Sequence, residues 1–147
     1  MTKNLVDQIK ITFDKDQIDL NQVHTFLKES YWSKNISKDT VQKAIENSLA
    51  IALKLDHQLV GFGRLITDYA TFAYLADVFV IEQYRGLGLS KTIVQQLLDH
   101  VESQNLRRIL LATRDAHELY RKFGFKDLSV PSSFLEINRP NIYKAYS

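Results

Sequence analysis

Residues 78–98 read VFVIEQYRGLGLSKTIVQQLL: an apolar run, a short glycine-rich and basic stretch, and a second apolar run. The first run predicts a buried strand, and the helical spacing of apolar residues over 89–101 predicts a helix. Gly86 and Gly88 therefore lie at a strand-to-helix junction. The first N–H groups of a helix lack internal partners, and the helix dipole makes that end partly positive. The junction predicts an anion site that suits phosphate.

Two well-defined phosphate motifs do not fit this stretch. A Walker A loop requires glycine where the chain has Arg85 and Ser90, and the dinucleotide fingerprint requires a third glycine where Lys91 stands. Arg85 and Lys91 nevertheless add positive charge beside the junction. The glycine spacing alone leaves an alternative open, which is a tight turn followed by an ordinary amphipathic helix.

Length and composition narrow the classes of protein. The chain has 147 residues, of which 45% are hydrophobic and 24% charged, and we expect one domain over 1–147. The net charge of +2 does not favour nucleic acid as a partner. The absence of cysteine excludes disulfides and a cysteine nucleophile. No signal-peptide or membrane-spanning pattern is present, so we expect a cytoplasmic protein with no membrane partner. The histidines lack metal-ligand spacing, and no metal is expected.

Hydrophobic periodicity predicts an α/β protein, with a mixed sheet (α+β) and helices on its faces. Helix starts are indicated by Asp19 with Gln22 and by Asp39 with Gln42. Glycines inside the strand pattern at Gly61 and Gly63 indicate close approach of another group. The predicted strands are 11–13, 50–55, 58–67, 71–81, 107–113, one beginning at Phe125, and 134–137.

Two motifs together resemble one family. Gln83 to Gly88 (QYRGLG) matches the pattern Q/R-x-x-G-x-G/A, and Ala116 to Phe125 (AHELYRKFGF) resembles A-x-x-L-Y-x-x-x-G-F. These are the signatures of the GNAT superfamily of acetyl-CoA-dependent N-acetyltransferases, and the order of elements is also similar. The resemblance is strongest over 58–128. It implies a GNAT-like fold, with a central, mostly antiparallel twisted sheet of about six to seven strands and about four helices.

The resemblance also implies acetyl-CoA as cofactor and assigns residues to it. The backbone of Val78, Phe79 and Val80 would pair with the pantetheine arm. The junction would hold the diphosphate through Gln83, Arg85, Gly86, Leu87, Gly88, Leu89, Ser90 and Lys91. Many relatives have glycine where this chain has Ser90, but a serine still donates its amide N–H.

Tyr120 is the candidate general acid, because the family has a tyrosine at this point of its second signature, near the sulfur of CoA. An acid within reach of the leaving thiolate assists its departure. The alternative is a core aromatic, since Tyr120 shares an apolar stripe with Ala116, Leu119 and Phe123.

Asp77 is the candidate base, and it is the only charged residue between Thr71 and Ile81. On a regular strand it would share a face with Leu75, Phe79 and Ile81, where a carboxylate is costly to bury without partners. The alternative is a structural aspartate that fixes a neighbouring loop. Asp68 is a rival base, and His117 could help to deprotonate an amine.

The acceptor pocket should involve Tyr31 and Trp32, which interrupt the helical pattern between the first two helices, with Phe134 on the opposite wall. A helix-packing role for the aromatic pair is equally compatible with the sequence. The resulting hypothesis is direct attack by a primary amine of a small molecule or peptide. The alternative is a non-catalytic sensor that binds acyl-CoA. A homodimer is possible through edge strands near the C-terminus.

Overall fold

The computed structural model describes residues 4–144, and its sheet has five strands in sequential order. They are β1 Lys10–Thr12, β2 Leu49–Leu55, β3 Gln58–Thr67, β4 Phe72–Val80 and β5 Arg108–Leu111. The pairings β1–β2, β2–β3 and β3–β4 are antiparallel, and β4–β5 is parallel. The mixed sheet confirms the predicted α/β class, whereas the predicted count of six to seven strands is too high.

Five α-helices surround this sheet: α1 Leu5–Gln8, α2 Leu20–Leu27, α3 Lys38–Glu46, α4 Leu89–His100 and α5 His117–Arg121. Short 3₁₀ turns lie at Lys15–Gln17, Glu82–Tyr84, Ser103–Asn105 and Pro131–Ser133. Within residues 4–144 none of the helices has the length and apolar character that crossing a membrane requires.

Capping side chains set where the two central helices begin. The Asp19 carboxylate accepts a hydrogen bond from the Gln22 amide at 3.2 Å, as predicted, and α2 follows it. Helix α3 begins two residues before the predicted position, because Ser37 Oγ accepts from the Thr40 amide at 3.1 Å. A hydroxyl at the cap satisfies the same otherwise unpaired amides as a carboxylate, and Asp39 instead lies in the first turn.

The sheet carries a hydrophobic core on each face. Helix α4 covers one face through Ile93 and Leu97, and α2 and α3 cover the other, where Phe62 is fully buried. A Cβ atom added at Gly63 would lie 2.6 Å from Ile93 Cγ2, and one added at Gly61 would lie 3.0 Å from Ile93 Cδ1. The close approach that the two strand glycines predicted is therefore the packing of α4 onto β3.

The two predicted C-terminal strands do not form. Residues 125–128 and 134–137 are irregular, and the side chains of Leu135 and Ile137 are 97% and 83% exposed. Their strand-like sequence lacks what a strand needs, which is a neighbouring strand whose backbone it can pair with. Residues 134–137 follow a 3₁₀ turn that begins at Pro131, and in this structure they lie outside the sheet.

Candidate active site

The end of β4 opens a cleft beside the predicted junction. The pairing of β4 with β5 stops at Leu75 and Leu111, while β4 continues to Val80. Beyond that point the edge of β4 that would face β5 has no strand beside it. The resulting cleft has a volume of about 790 Å³ and runs from the start of α4 to the loop between α2 and α3.

Asp77 interrupts β4 with a bulge. It has a φ of +55°, and the register with β3 shifts by one residue between Phe62 and Arg64. Because side chains alternate along a strand, one extra residue exchanges the faces beyond it. Leu75 packs in the core under α4, whereas Phe79 packs in the core under α2 and α3. The prediction that Asp77 shares a face with Leu75 is therefore wrong, and the left-handed residue is the reason.

The bulge directs the Asp77 carboxylate into a chain of hydrogen bonds. Arg64 Nε donates to Asp77 Oδ2 at 2.7 Å, and Trp32 Nε1 donates to Asp77 Oδ1 at 2.7 Å. Arg64 Nη1 also donates to Ser48 Oγ at 2.9 Å. The side chains of Arg64 and Asp77 are only 15% and 9% exposed. This aspartate thus fixes the loop that carries Trp32, as its structural interpretation predicted, and it also lines the cleft.

Aromatic side chains form the wall of the cleft nearest α2. Phe26 stacks on Phe79 with ring centroids 3.9 Å apart, and Trp32 lies 6.4 Å from Phe26. Tyr31 meets Trp32 edge to face at 5.0 Å, and the Arg114 guanidinium lies over the Tyr31 ring at 3.7 Å. The predicted pair of aromatics therefore faces the cleft, and Arg114 reaches it from the loop after β5.

The glycine junction presents bare backbone. Gly86 and Gly88 have φ of +83° and +77°, and an added Cβ at either position would meet nothing within 4 Å. Across the described residues no protein acceptor binds the amide N–H groups from Gly86 to Lys91. These amides stand at the first turn of α4, where the helix dipole is positive. An anion bound here would meet several donors without displacing a side chain.

Two predicted cofactor contacts change in the structure. The Arg85 amide donates to Glu82 O at 3.2 Å and its Nε donates to Val80 O at 3.0 Å, so the run of free amides begins at Gly86. The Ile81 amide donates to Val60 O, and backbone polar groups alternate along a strand. The backbone of Phe79 consequently faces β3, and that of Val80 faces the cleft.

Tyr120 lies at the side of the cleft on α5. Its ring packs against the core under α4 and meets Phe125 edge to face, with centroids 6.0 Å apart. Its hydroxyl makes no hydrogen bond with the described residues, and its side chain lines the cleft. Partial burial, and then the neighbouring Tyr31 and Asp115, raise the pKa of Tyr120 above its ordinary value of 10.0. The hydroxyl therefore keeps its proton at neutral pH. The ring packs against the core, as the alternative interpretation of Tyr120 predicted, and the role of its hydroxyl as an acid stays a prediction.

Comparison with known proteins identifies this arrangement. The model of the Acetyltransferase (GNAT) family matches residues 20–125. The chain belongs to this family. A crystal structure of a GNAT family protein from Xanthomonas campestris pv. campestris superposes with a TM-score of 0.90 at 40% identity, covering 93% of this chain and 97% of that one. An acetyltransferase from Clostridium acetobutylicum solved with acetyl-CoA has the same fold, with a TM-score of 0.65 at 15% identity over 88% and 94% of the two chains.

Sequence relatives in the GNAT family are more distant. A Gibberella zeae protein named as an acetyltransferase is 28% identical over 117 residues, which is 66% of each chain. The matches to two N-acetyltransferases, from Pyropia yezoensis and Porphyra purpurea, span 52% and 40% of those proteins. The chain thus spans between two fifths and two thirds of the length of these curated relatives.

Three residues that the sequence suggested do not lie in the GNAT cleft. Phe134, predicted as the opposite wall, lies with its ring 5.0 Å from the Arg108 guanidinium at the start of β5. Asp68 stabilises the turn after β3, where hydrogen bonds from the Thr71 hydroxyl and from backbone amides lower its pKa below the usual range. His117 is exposed on the outer side of α5. All three residues therefore lie outside the set that lines the cleft.

Three cleft residues were missed. Arg64 is the only charge within the apolar strand 58–67, so the reasoning that found Asp77 on β4 could have found it. Nothing in the sequence marks Phe26 as a cleft residue, because its spacing is that of any core residue of α2. Arg114 follows a buried strand, but charges at strand ends are too common to be specific. Gln83 lies on the exposed 3₁₀ turn before the glycines.

Proposed function

We propose that this chain is an acetyl-CoA-dependent N-acetyltransferase that acts on a primary amine by direct attack in a ternary complex. The observation that carries this proposal is the set of unpaired amides from Gly86 to Lys91. They lie next to the part of β4 that extends beyond its pairing with β5. Free amides suit a diphosphate, and an open strand edge next to them suits an extended arm that contains amide groups. Family membership supports the same donor.

The residues of the cleft suit the successive parts of acetyl-CoA. The amides of Gly86, Gly88 and Ser90 and the positive end of α4 would bind the diphosphate. The backbone of Val78 and the amide of Val80 would pair with the pantetheine arm, as a strand pairs with an added strand; Val80 O already accepts from Arg85 Nε. Bound acetyl-CoA supplies an acyl group activated as a thioester.

Tyr120 holds the proton that the reaction needs. Its raised pKa keeps the hydroxyl protonated at neutral pH, and its position on the cleft side of α5 leaves that proton free to be donated. Donation to the departing sulfur makes the thiolate a better leaving group. The chain has no cysteine, so a cysteine acyl-enzyme is excluded.

Asp77 and the aromatic wall receive the amine. Each carboxylate oxygen accepts one hydrogen bond, from Trp32 or Arg64, and retains a second lone pair. We assign Asp77 to holding the amine and orienting Trp32, because the hydrogen bonds from Arg64 and Trp32 fix its carboxylate in the wall of the cleft. In Asp77→Asn the KM for the amine should rise while the alkaline rise of the rate persists. Loss of that rise would instead identify Asp77 as the base.

The proposed reaction is tested by release of free thiol when acetyl-CoA is mixed with a panel of primary amines. Wild-type protein and a Tyr69→Phe control, whose tyrosine is exposed away from the cleft, should release thiol at equal rates. Tyr120→Phe should lower kcat by about a hundredfold or more and leave the affinity for acetyl-CoA unchanged. Binding of acetyl-CoA without thiol release from any amine would favour the acyl-CoA sensor.

A further inference from the structure

The outer side of β5 is an open sheet edge. β5 pairs with β4 on one side and has no strand on the other. Next to this free side lies a groove of about 270 Å³, bounded by β5, by α5 and by residues 125–128. In the described part of the chain no backbone hydrogen bond joins 125–128 to β5. An unpaired edge of this kind is a template for a further strand.

The same chain carries an unpaired strand sequence. Residues Phe134 to Ile137, here called the FLEI segment, have as many residues as β5 and alternate apolar and acidic at Leu135, Glu136 and Ile137. Leu135 and Ile137 point into solvent at 97% and 83% exposure, far more than Ile66 of β3 or Phe72 of β4, at 43% and 37%. Adjacent apolar side chains this exposed mark an interaction surface.

We propose that two copies of this chain exchange their FLEI segments, each segment pairing with the free edge of β5 in the groove of the other copy. One chain contains both an unfilled edge and an unpaired strand of matching length. A two-fold dimer satisfies both at once, since each copy donates what it also accepts. No chemically different partner is needed to complete either surface.

The segment starts beside its own β5 but does not line its own groove. Arg108, at the start of β5, holds the Phe134 ring at 5.0 Å, and the turn beginning at Pro131 precedes it. Farther along, Tyr143 packs against the core under α2 and α3, on the other face of the sheet. The segment is thus presented outward between two fixed points, in the arrangement that exchange between copies requires.

The groove matches the segment in chemistry. Its walls include Ile109, Leu111 and Phe125, which suit Leu135 and Ile137. Its lining also includes Arg121, Lys126 and Asp127; Arg121 is paired with Asp127 at 2.8 Å, so Lys126 is the positive charge available to Glu136. Tyr120 lines both this groove and the cleft, so the exchanged strand would pack behind the candidate acid.

Sedimentation equilibrium of the purified chain, without cofactor, tests the exchange independently of the proposed reaction. Wild type should sediment as a dimer of the 17.0 kDa chain. Leu135→Asp should raise the dimer dissociation constant by about a hundredfold or more, because two buried leucines are replaced by charge. The matched control Ile66→Asp changes an exposed apolar residue of β3 and should leave the dimer intact. A monomeric wild type, or a Leu135→Asp protein that dimerises like wild type, overturns the proposal.

Hydrogen exchange on the wild-type protein provides a second measurement that needs no variant. Amides of 109–111 and of the FLEI segment should exchange more slowly as the protein concentration rises through the dissociation constant. Amides of β2, in the middle of the sheet, should show no such dependence. Exchange rates at 109–111 and in the segment that do not depend on concentration would rule out the exchanged strand.

Discussion

Replacing Arg64 with methionine should destabilise the protein far more than the loss of an ordinary ion pair. Arg64→Met removes the guanidinium that lies 2.7 Å from Asp77 and leaves that carboxylate 9% exposed, with Trp32 as its remaining donor. Removing one partner of a buried pair costs about 3–5 kcal/mol, because the other charge stays buried. For a chain of this length that corresponds to a fall in Tm of about 6–20 °C.

The assay is calorimetric or circular-dichroism melting of wild type, Arg64→Met and a matched control. Lys34→Met breaks the ion pair with Glu29, which has the same 2.7 Å separation, but these side chains are 57% and 65% exposed. An exposed pair is screened by solvent and contributes little to stability, so the control should melt within a few degrees of wild type. Equal Tm values for the two variants would contradict the description of Asp77 as a buried carboxylate that accepts hydrogen bonds from both Arg64 and Trp32.

Four further changes test other parts of the structure. Gly63→Ala places a methyl group 2.6 Å from Ile93 Cγ2 and should cost about 1–3 kcal/mol in chemical denaturation. When Gly63→Ala is combined with Ile93→Ala, the two changes should cost less than the sum of their separate costs, and simple additivity would contradict the contact. Gly88→Ala has room for its Cβ but a φ of +77°, so it should cost about 1–2 kcal/mol and weaken binding of CoA in titration calorimetry. Unchanged affinity there would argue against the junction as the diphosphate site. Because burial raises the pKa of Tyr120 above 10.0, its protonated form persists to higher pH than in the unfolded chain, and the rate should not fall between pH 7 and 10. A fall below pH 10 that disappears in Tyr120→Phe would contradict this. Trp32→Phe removes the indole donor to Asp77 and should raise the KM for the amine by about ten- to a hundredfold, with the KM for acetyl-CoA unchanged; the reverse pattern would contradict the assignment of this wall to the acceptor.

Local chemistry made most of the fold predictable. The carboxylate cap at Asp19 and the apolar periodicity of α4 each act over a few residues, and each is as expected. The motifs at Gln83 to Gly88 and at Ala116 to Phe125 are also short stretches of sequence, and they located the junction and Tyr120. The glycines of β3 indicated close packing because only the absence of a Cβ admits Ile93 there.

The parts that failed depend on non-local partners. The alternating pattern at 134–137 indicates that the segment can form a strand. It does not indicate which strand edge is available for pairing, because that edge lies elsewhere in the chain or in another copy. The bulge at Asp77 changes the face of every residue after it, and strand alternation read from sequence assumes no extra residue. The Arg64–Asp77 ion pair joins β3 and β4, and it could not be predicted because the sequence alone does not give the register of these two strands.

The most direct measurement is a titration of isotope-labelled protein with CoA, followed through the amide signals of the chain by NMR. We expect the signals of Gly86, Gly88 and Lys91 to shift strongly and to saturate together, whereas free pantetheine, which lacks the diphosphate, should leave them nearly unmoved. If CoA binds and these signals stay in place while others shift, the glycine junction is not where the cofactor is held.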